Sequence, residues 1–71
     1  MTAISIGDHV KWEWGDGTGT GKVTQIYTQK ITKTIKGTDV TRDASDEEPA
    51  YLIEQDDGDT VLKSCTEIEQ A

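Results

Sequence analysis

Gly7-Asp8-His9-Val10-Lys11-Trp12-Glu13-Trp14, continuing through Gly15-Asp16-Gly17-Thr18-Gly19-Thr20-Gly21 to Lys22-Val23-Thr24-Gln25-Ile26-Tyr27, is the stretch that decides how this chain folds. A Gly-Asp turn opens a strand over residues 8–14. In it Val10, Trp12 and Trp14 fall on one face and His9, Lys11 and Glu13 on the other, the alternation of a half-buried strand. The glycine-rich stretch reads as a loop that returns the chain into a second strand over residues 20–28.

Outward from there the pattern stays β. Ile31, Lys33 and Ile35 alternate with Thr32, Thr34 and Lys36, which predicts a third strand over 30–36. Lys36-Gly37-Thr38-Asp39 reads as a hairpin turn with Gly37 supplying a positive φ. Val40-Thr41-Arg42 returns antiparallel. Asp43 to Pro49 is a charged connection, ended by a residue without an amide hydrogen. Ala50-Tyr51-Leu52-Ile53-Glu54-Gln55 is the most apolar strand and is expected to be central. Asp56-Asp57-Gly58-Asp59 is a tight turn and Thr60–Lys63 the last strand. Ser64 can cap a helical turn through Ile68, letting Ile68 fold back as a plug.

Seventy-one residues predict one domain, spanning 1–71, with a core that rarely supplies more than roughly 3–5 kcal/mol. The chain has no Phe, so two Trp and two Tyr must supply much of its buried area. A single cysteine, Cys65, forms no intramolecular disulfide. No apolar run suits a membrane span, and residues 1–4 lack the features of a secretory leader, so a cytoplasmic location is expected.

The net charge of −7 is unevenly spread. Residues 1–29 carry −1; residues 30–42, with Lys30, Lys33, Lys36 and Arg42 against Asp39, carry +3; residues 43–71 carry −9. Nucleic-acid binders need a dominant basic footprint, because phosphate neutralisation supplies their affinity. This acidic balance argues against a nucleic-acid partner and leaves 30–42 as the only place for a polyanion.

The order of turn, aromatic strand, glycine loop and a strand with Gly21-x-Val23 resembles the opening of small SH3-like barrels of the Tudor and KOW type. Together with Thr34-Ile35-Lys36-Gly37, Val40-Thr41-Arg42, Glu48-Pro49-Ala50-Tyr51-Leu52-Ile53-Glu54-Gln55, Asp57-Gly58 and Val61-Leu62-Lys63-Ser64, it resembles the hypervirulence-associated Tudor-like family over nearly the whole chain. The resemblance implies an all-β fold: a small SH3-like, Tudor-like barrel of about five antiparallel strands, with a projecting hairpin and a short C-terminal helical turn. It carries over no activity and no catalytic residues.

The residues themselves offer few sites. A methylated-cation reader needs three or four aromatics converging as a cage, and Trp12, Trp14, Tyr27 and Tyr51 are all there are. Trp12 reads as core, whereas Trp14 at the strand end reads as partly open. A groove of Trp14, Tyr27 and Tyr51 near the barrel mouth, with Asp16 beside it, is the leading ligand-binding expectation. The alternative is an anion or nucleotide held by the amides of Gly17, Gly19 and Gly21 with Lys33, Lys36 or Arg42 as charge partners. Against a dinucleotide fingerprint, the glycines precede a strand and not a helix.

Asp56 to Asp59 lacks calcium-loop spacing. His9 and Cys65 are too far apart and too few for a metal or a nucleophile. No metal and no cofactor are expected. If the 30–42 hairpin projects, Ile31 and Ile35 form an exposed stripe able to self-associate. That hairpin is expected to be mobile and dispensable for the fold.

No acid–base pair, metal set or activated nucleophile is in view, so the expectation is a small non-catalytic, cytoplasmic binding module for a protein or peptide. The alternatives are phosphorylated small-molecule binding and a self-assembling stress-associated protein. The sequence names no ligand.

Overall fold

The computed structural model describes residues 4–71, with Trp14 described through its backbone only. Its strands are β1 His9–Trp14, β2 Gly17–Tyr27, β3 Ile31–Ile35, β4 Thr38–Arg42, β5 Ala50–Gln55, β6 Thr60–Ser64 and β7 Glu69–Gln70, with a 3-10 turn over Cys65–Glu67. Five of them form an antiparallel sheet in the order β6-β5-β2-β1-β7, while β3 and β4 pair separately. This is the small Tudor-like, barrel-like all-β fold.

At about 3.3 Å per residue, the eleven residues of β2 laid straight would exceed the longest dimension of the molecule, 29 Å. The strand therefore bends, and it does so at a bulge. Its register against β5 slips between Val23 and Gln25, leaving Thr24 unpaired. The Thr24 hydroxyl donates to the Leu52 carbonyl at 3.1 Å, which holds the extra residue in place.

The bulge also changes which residues face inward. Gly19, Gly21 and Val23 are buried before it, and Ile26 packs on the core after it. Tyr27 is thereby turned off the main core onto the face that carries Leu52, where it is half-buried.

The core gathers Ile4, Val10, Trp12, Val23, Tyr51 and Ile53, with Ile26, Val61, Cys65 and Ile68 against it. Leu62 is also buried, at 2% exposure, yet lies outside this cluster. It pairs with Leu52, on the face opposite Tyr51 and Ile53, because successive strand residues alternate faces. The β3–β4 hairpin packs along β6 and covers that second face.

Its covering side carries the half-buried Ile31, Lys33, Ile35, Val40 and Arg42. Its outer side is polar: Thr32 and Thr41 share a 2.8 Å hydrogen bond, and the Thr34 hydroxyl donates to Asp39 at 2.7 Å. The hairpin that the sequence presents as a peripheral element closes a second small core. The exposed isoleucine stripe expected on it is absent, since Ile31 and Ile35 are half-buried.

Three other expectations change. The glycine stretch is not a loop. Only Gly15-Asp16 turn, Gly15 at φ 52°, and residues 17–21 pair with β1. β5 is an interior strand, but the middle of the sheet is β2. A seventh short strand follows the 3-10 turn and pairs with Val10 and Lys11.

The Ser64 cap forms as expected. The Thr66 amide donates to Ser64 Oγ at 3.4 Å, and the Ser64 amide donates to Glu67 Oε1 at 2.8 Å, a reciprocal capping box. No helix among the described residues is long and apolar enough to cross a membrane.

Candidate functional site

The glycines of β2 are there for close approach. A Cβ on Gly19 would lie 2.6 Å from Trp12 Cε2 and Nε1, because Gly19 pairs with Trp12 and lies under its indole. A Cβ on Gly21 would lie 2.6 Å from Ile53 Cγ2 and 2.7 Å from the Glu54 carbonyl oxygen. An extended strand also points successive amides to opposite edges, whereas an anion nest needs them to converge.

The cations proposed for that nest sit elsewhere. Lys36 Nζ pairs with Asp59 at 2.7 Å, Arg42 Nε with Glu67 at 2.7 Å, and Lys33 Nζ lies 5.3 Å from the centroid of the Tyr27 ring. What borders the strand at Thr18, Gly19 and Thr20 is acidic, namely Asp56 and Asp57. Gly17, Gly19, Gly21, Lys33, Lys36 and Arg42 are thus not brought together, and the anion reading loses its geometry.

The aromatic set divides as well. Tyr51 is 3% exposed and Trp12 5%, both in the core. Tyr51 reads as accessible only if β5 is taken as a mouth-lining strand, but it alternates with Ile53 onto the buried face. Burial raises its phenol pKa, with the nearby Cys65 adding to the effect.

Trp14 and Asp16 belong to the β1–β2 turn, whereas Tyr27 closes the far end of β2 against Ala50. The expectation that the Trp14 ring is partly open concerns a side chain outside the described residues. The four residues expected in one groove are therefore one core residue, one pair at the tip of a hairpin, and Tyr27 at the opposite end. A cage of three aromatics cannot be built from them.

Tyr27 is what remains, half-buried where β2 turns through residues 28–30 into the hairpin. Ile26, Tyr27, Thr28, Gln29, Lys30 and Ile31 line an open depression of about 290 Å³ there. Sequence reading missed how Tyr27 is turned off the main core. The signal is the spacing of three between Val23 and Ile26, which alternation alone cannot accommodate.

Two ion pairs fix the hairpin beside this surface. Lys36 is held charged by its hydrogen bond to Asp59 and by that carboxylate's charge, which raise its pKa. Glu67 joins hairpin, β6 and the 3-10 turn. Burial pushes its carboxyl up, but the Arg42 hydrogen bond, the Ser64 amide and the charges of Arg42 and Lys63 outweigh this and hold it below its usual value. Among the described residues no group of His, Cys, Asp and Glu comes together that could hold a metal ion.

A bulged five-stranded sheet covered by the β3–β4 hairpin, with an open depression at a strand end, makes a small barrel-like domain, and comparison with known proteins agrees with that fold. The family of Hypervirulence associated proteins TUDOR domain matches residues 7–68, and the chain belongs to that family. No curated protein and no solved structure matches the chain.

Proposed function

We propose that this chain is a non-catalytic module that binds a protein or peptide through the Tyr27 surface. The observation that carries the reading is the half-buried Tyr27 ring itself, turned out of the core by the Thr24 bulge and lining an open, largely polar depression together with residues 28–31. Lys33 over the ring and Lys30 at the rim add charge to it. An open, mixed aromatic and cationic surface of this size suits an apolar or aromatic side chain of a peptide with a carboxylate beside it.

The test is a peptide array probed with the labelled chain and with Tyr27→Ala and Tyr27→Phe. Tyr27→Ala should lose about tenfold or more on peptides the native chain retains, the scale of an interface aromatic, and Tyr27→Phe should keep most of the binding. Equal retention by Tyr27→Ala would remove this surface from the function.

A further inference from the structure

The β1–β2 hairpin outruns both of its neighbours. β7 reaches only Val10 and Lys11, and β5 begins pairing with β2 only at Gly21. Residues 17–20 of β2 therefore have a partner on the β1 side and none on the other among the described residues.

The direction of each backbone group follows from the turn. The two-residue loop Gly15-Asp16 makes Trp14 and Gly17 the closing pair, which exchanges hydrogen bonds; Gly19 and Gly21 then also face β1. Val23 continues that phase, accepting from the Gly7 amide at 2.8 Å and donating to the Asp8 carbonyl at 2.9 Å. Thr18 and Thr20 must turn both N–H and C=O to the open side.

A depression of about 280 Å³ lies along that side, lined by Thr18, Gly19, Thr20, Gln55, Asp56 and Asp57. Three successive strand residues alternate faces, so what they share with the depression is the strand's edge. The edge carries no proline, bulge or lysine, the devices that usually keep strand edges from pairing.

Across the depression Asp56 and Asp57 enter no direct ion pair among the described residues, although Asp57 accepts the Asp59 amide at 2.9 Å and feels the charge of Lys36. The opposite edge differs in both respects. There β1 leaves only Glu13 unpaired by the same parity, and the neighbouring Glu67 and Glu69 are already paired with Arg42 and Lys11.

We infer that the Thr18–Thr20 edge of β2 accepts a short extended peptide with alternating Lys or Arg, which adds as a strand and sets its cations against Asp56 and Asp57. Backbone pairing supplies attachment, and charge selects the sequence. The inference rests on the reading of the chain as a peptide-binding module, but it uses a surface at the other end of β2 from Tyr27.

The experiment is a titration of the isotopically labelled chain with a blocked Lys-Val-Lys-Val-Lys-Val peptide and with its Glu-Val-Glu-Val-Glu-Val counterpart, following amide shifts and hydrogen exchange. The lysine peptide should shift and protect the Thr18 and Thr20 amides, more weakly as salt rises. Asp56→Asn with Asp57→Asn should weaken it about tenfold. Thr18→Pro, which removes an amide hydrogen facing away from β1, should abolish the protection while the Tyr27 resonances stay in place. Should that variant not fold, the Asp56 and Asp57 substitutions in the exposed turn decide the matter alone.

Shifts confined to Ile26–Ile31 would overturn the edge site and leave the module reading intact. Equal binding of both peptides at Thr18 and Thr20 would overturn the charge selection. An absence of shifts anywhere with either peptide would overturn the edge site, while the Tyr27 surface stands or falls on its own peptide array.

Discussion

Trp12 and Gly19 act as one unit, since the indole occupies the volume a side chain at 19 would need. Gly19→Ala should cost about 1–3 kcal/mol through overpacking, and much less in a Trp12→Leu background, where the ring is gone; urea unfolding of the four chains in that cycle checks it. Trp12→Ala should cost about 3–5 kcal/mol, comparable with the stability of so small a core, and leave the chain unfolded. At this scale Trp12 was legible from alternation alone, whereas the glycines were not, because a glycine's role as space for a ring across the ladder depends on a register no spacing reveals. Glu67 makes a second residue-level prediction. Its carboxyl titrates below the usual range in the folded state, so its contribution is present above the ordinary carboxylate pKa and is lost as pH falls through the lowered one. Glu67→Gln should lower stability near neutrality and flatten the acid limb of a melting-temperature profile; an unchanged acid limb would deny Glu67 that linkage.

The β3–β4 hairpin is the element whose role changes most. Lys36 and Gly37 both have positive φ, 52° and 79°, the two-residue turn that favours Asn-Gly. Lysine there is strained, and its bond to Asp59 is solvent-exposed, the kind of ion pair that adds little to stability. Lys36→Asn should therefore raise the melting temperature, and a drop would show that the Asp59 tie matters more than the turn. Replacing residues 33–41 with a short Asn-Gly turn should uncover Leu62 and Leu52. For Leu62 alone that is about 1.5–3 kcal/mol, a large part of what such a core supplies. The shortened chain should melt far lower or not fold, and unchanged melting would mean that the second face needs no cover. The strands themselves were legible because Thr and Ile alternate; the cover was not, since Leu52 and Leu62 sit in apolar runs that fit either face. The Thr24 bulge hid in the same way, and with it the turn of Tyr27 off the main core. β7 was missed because Glu69-Gln70 has no strand signal, only a partner in β1.

For the molecule as a whole, half of the basic hairpin's cations are paired within the fold, while most carboxylates of residues 43–71 stay outside ion pairs with it. Lys36 and Arg42 of the basic hairpin are paired with Asp59 and Glu67 of the acidic half, which leaves Lys30 and Lys33 near Tyr27 and carboxylates along the β2 edge. A polyanion thus finds little unpaired positive charge, and non-specific DNA affinity should be no tighter than roughly 10⁻⁴–10⁻⁶ M and fall steeply with salt. The architecture was legible from the Gly7–Tyr27 stretch and the Pro49–Gln55 block; the placement of candidate residues was not, because the two ends of β2 are close in sequence argument but opposite in space. The most direct discriminator between a protein-binding surface and an anion site is a single set of amide spectra of the labelled chain, recorded with inorganic phosphate and ATP and then with a peptide retained on the array. The expected result is no saturable shift of the Gly17, Gly19 and Gly21 amides with either anion, and saturable shifts over Ile26–Ile31 with the peptide. Saturable phosphate shifts centred on those glycines, with Ile26–Ile31 silent, would contradict it.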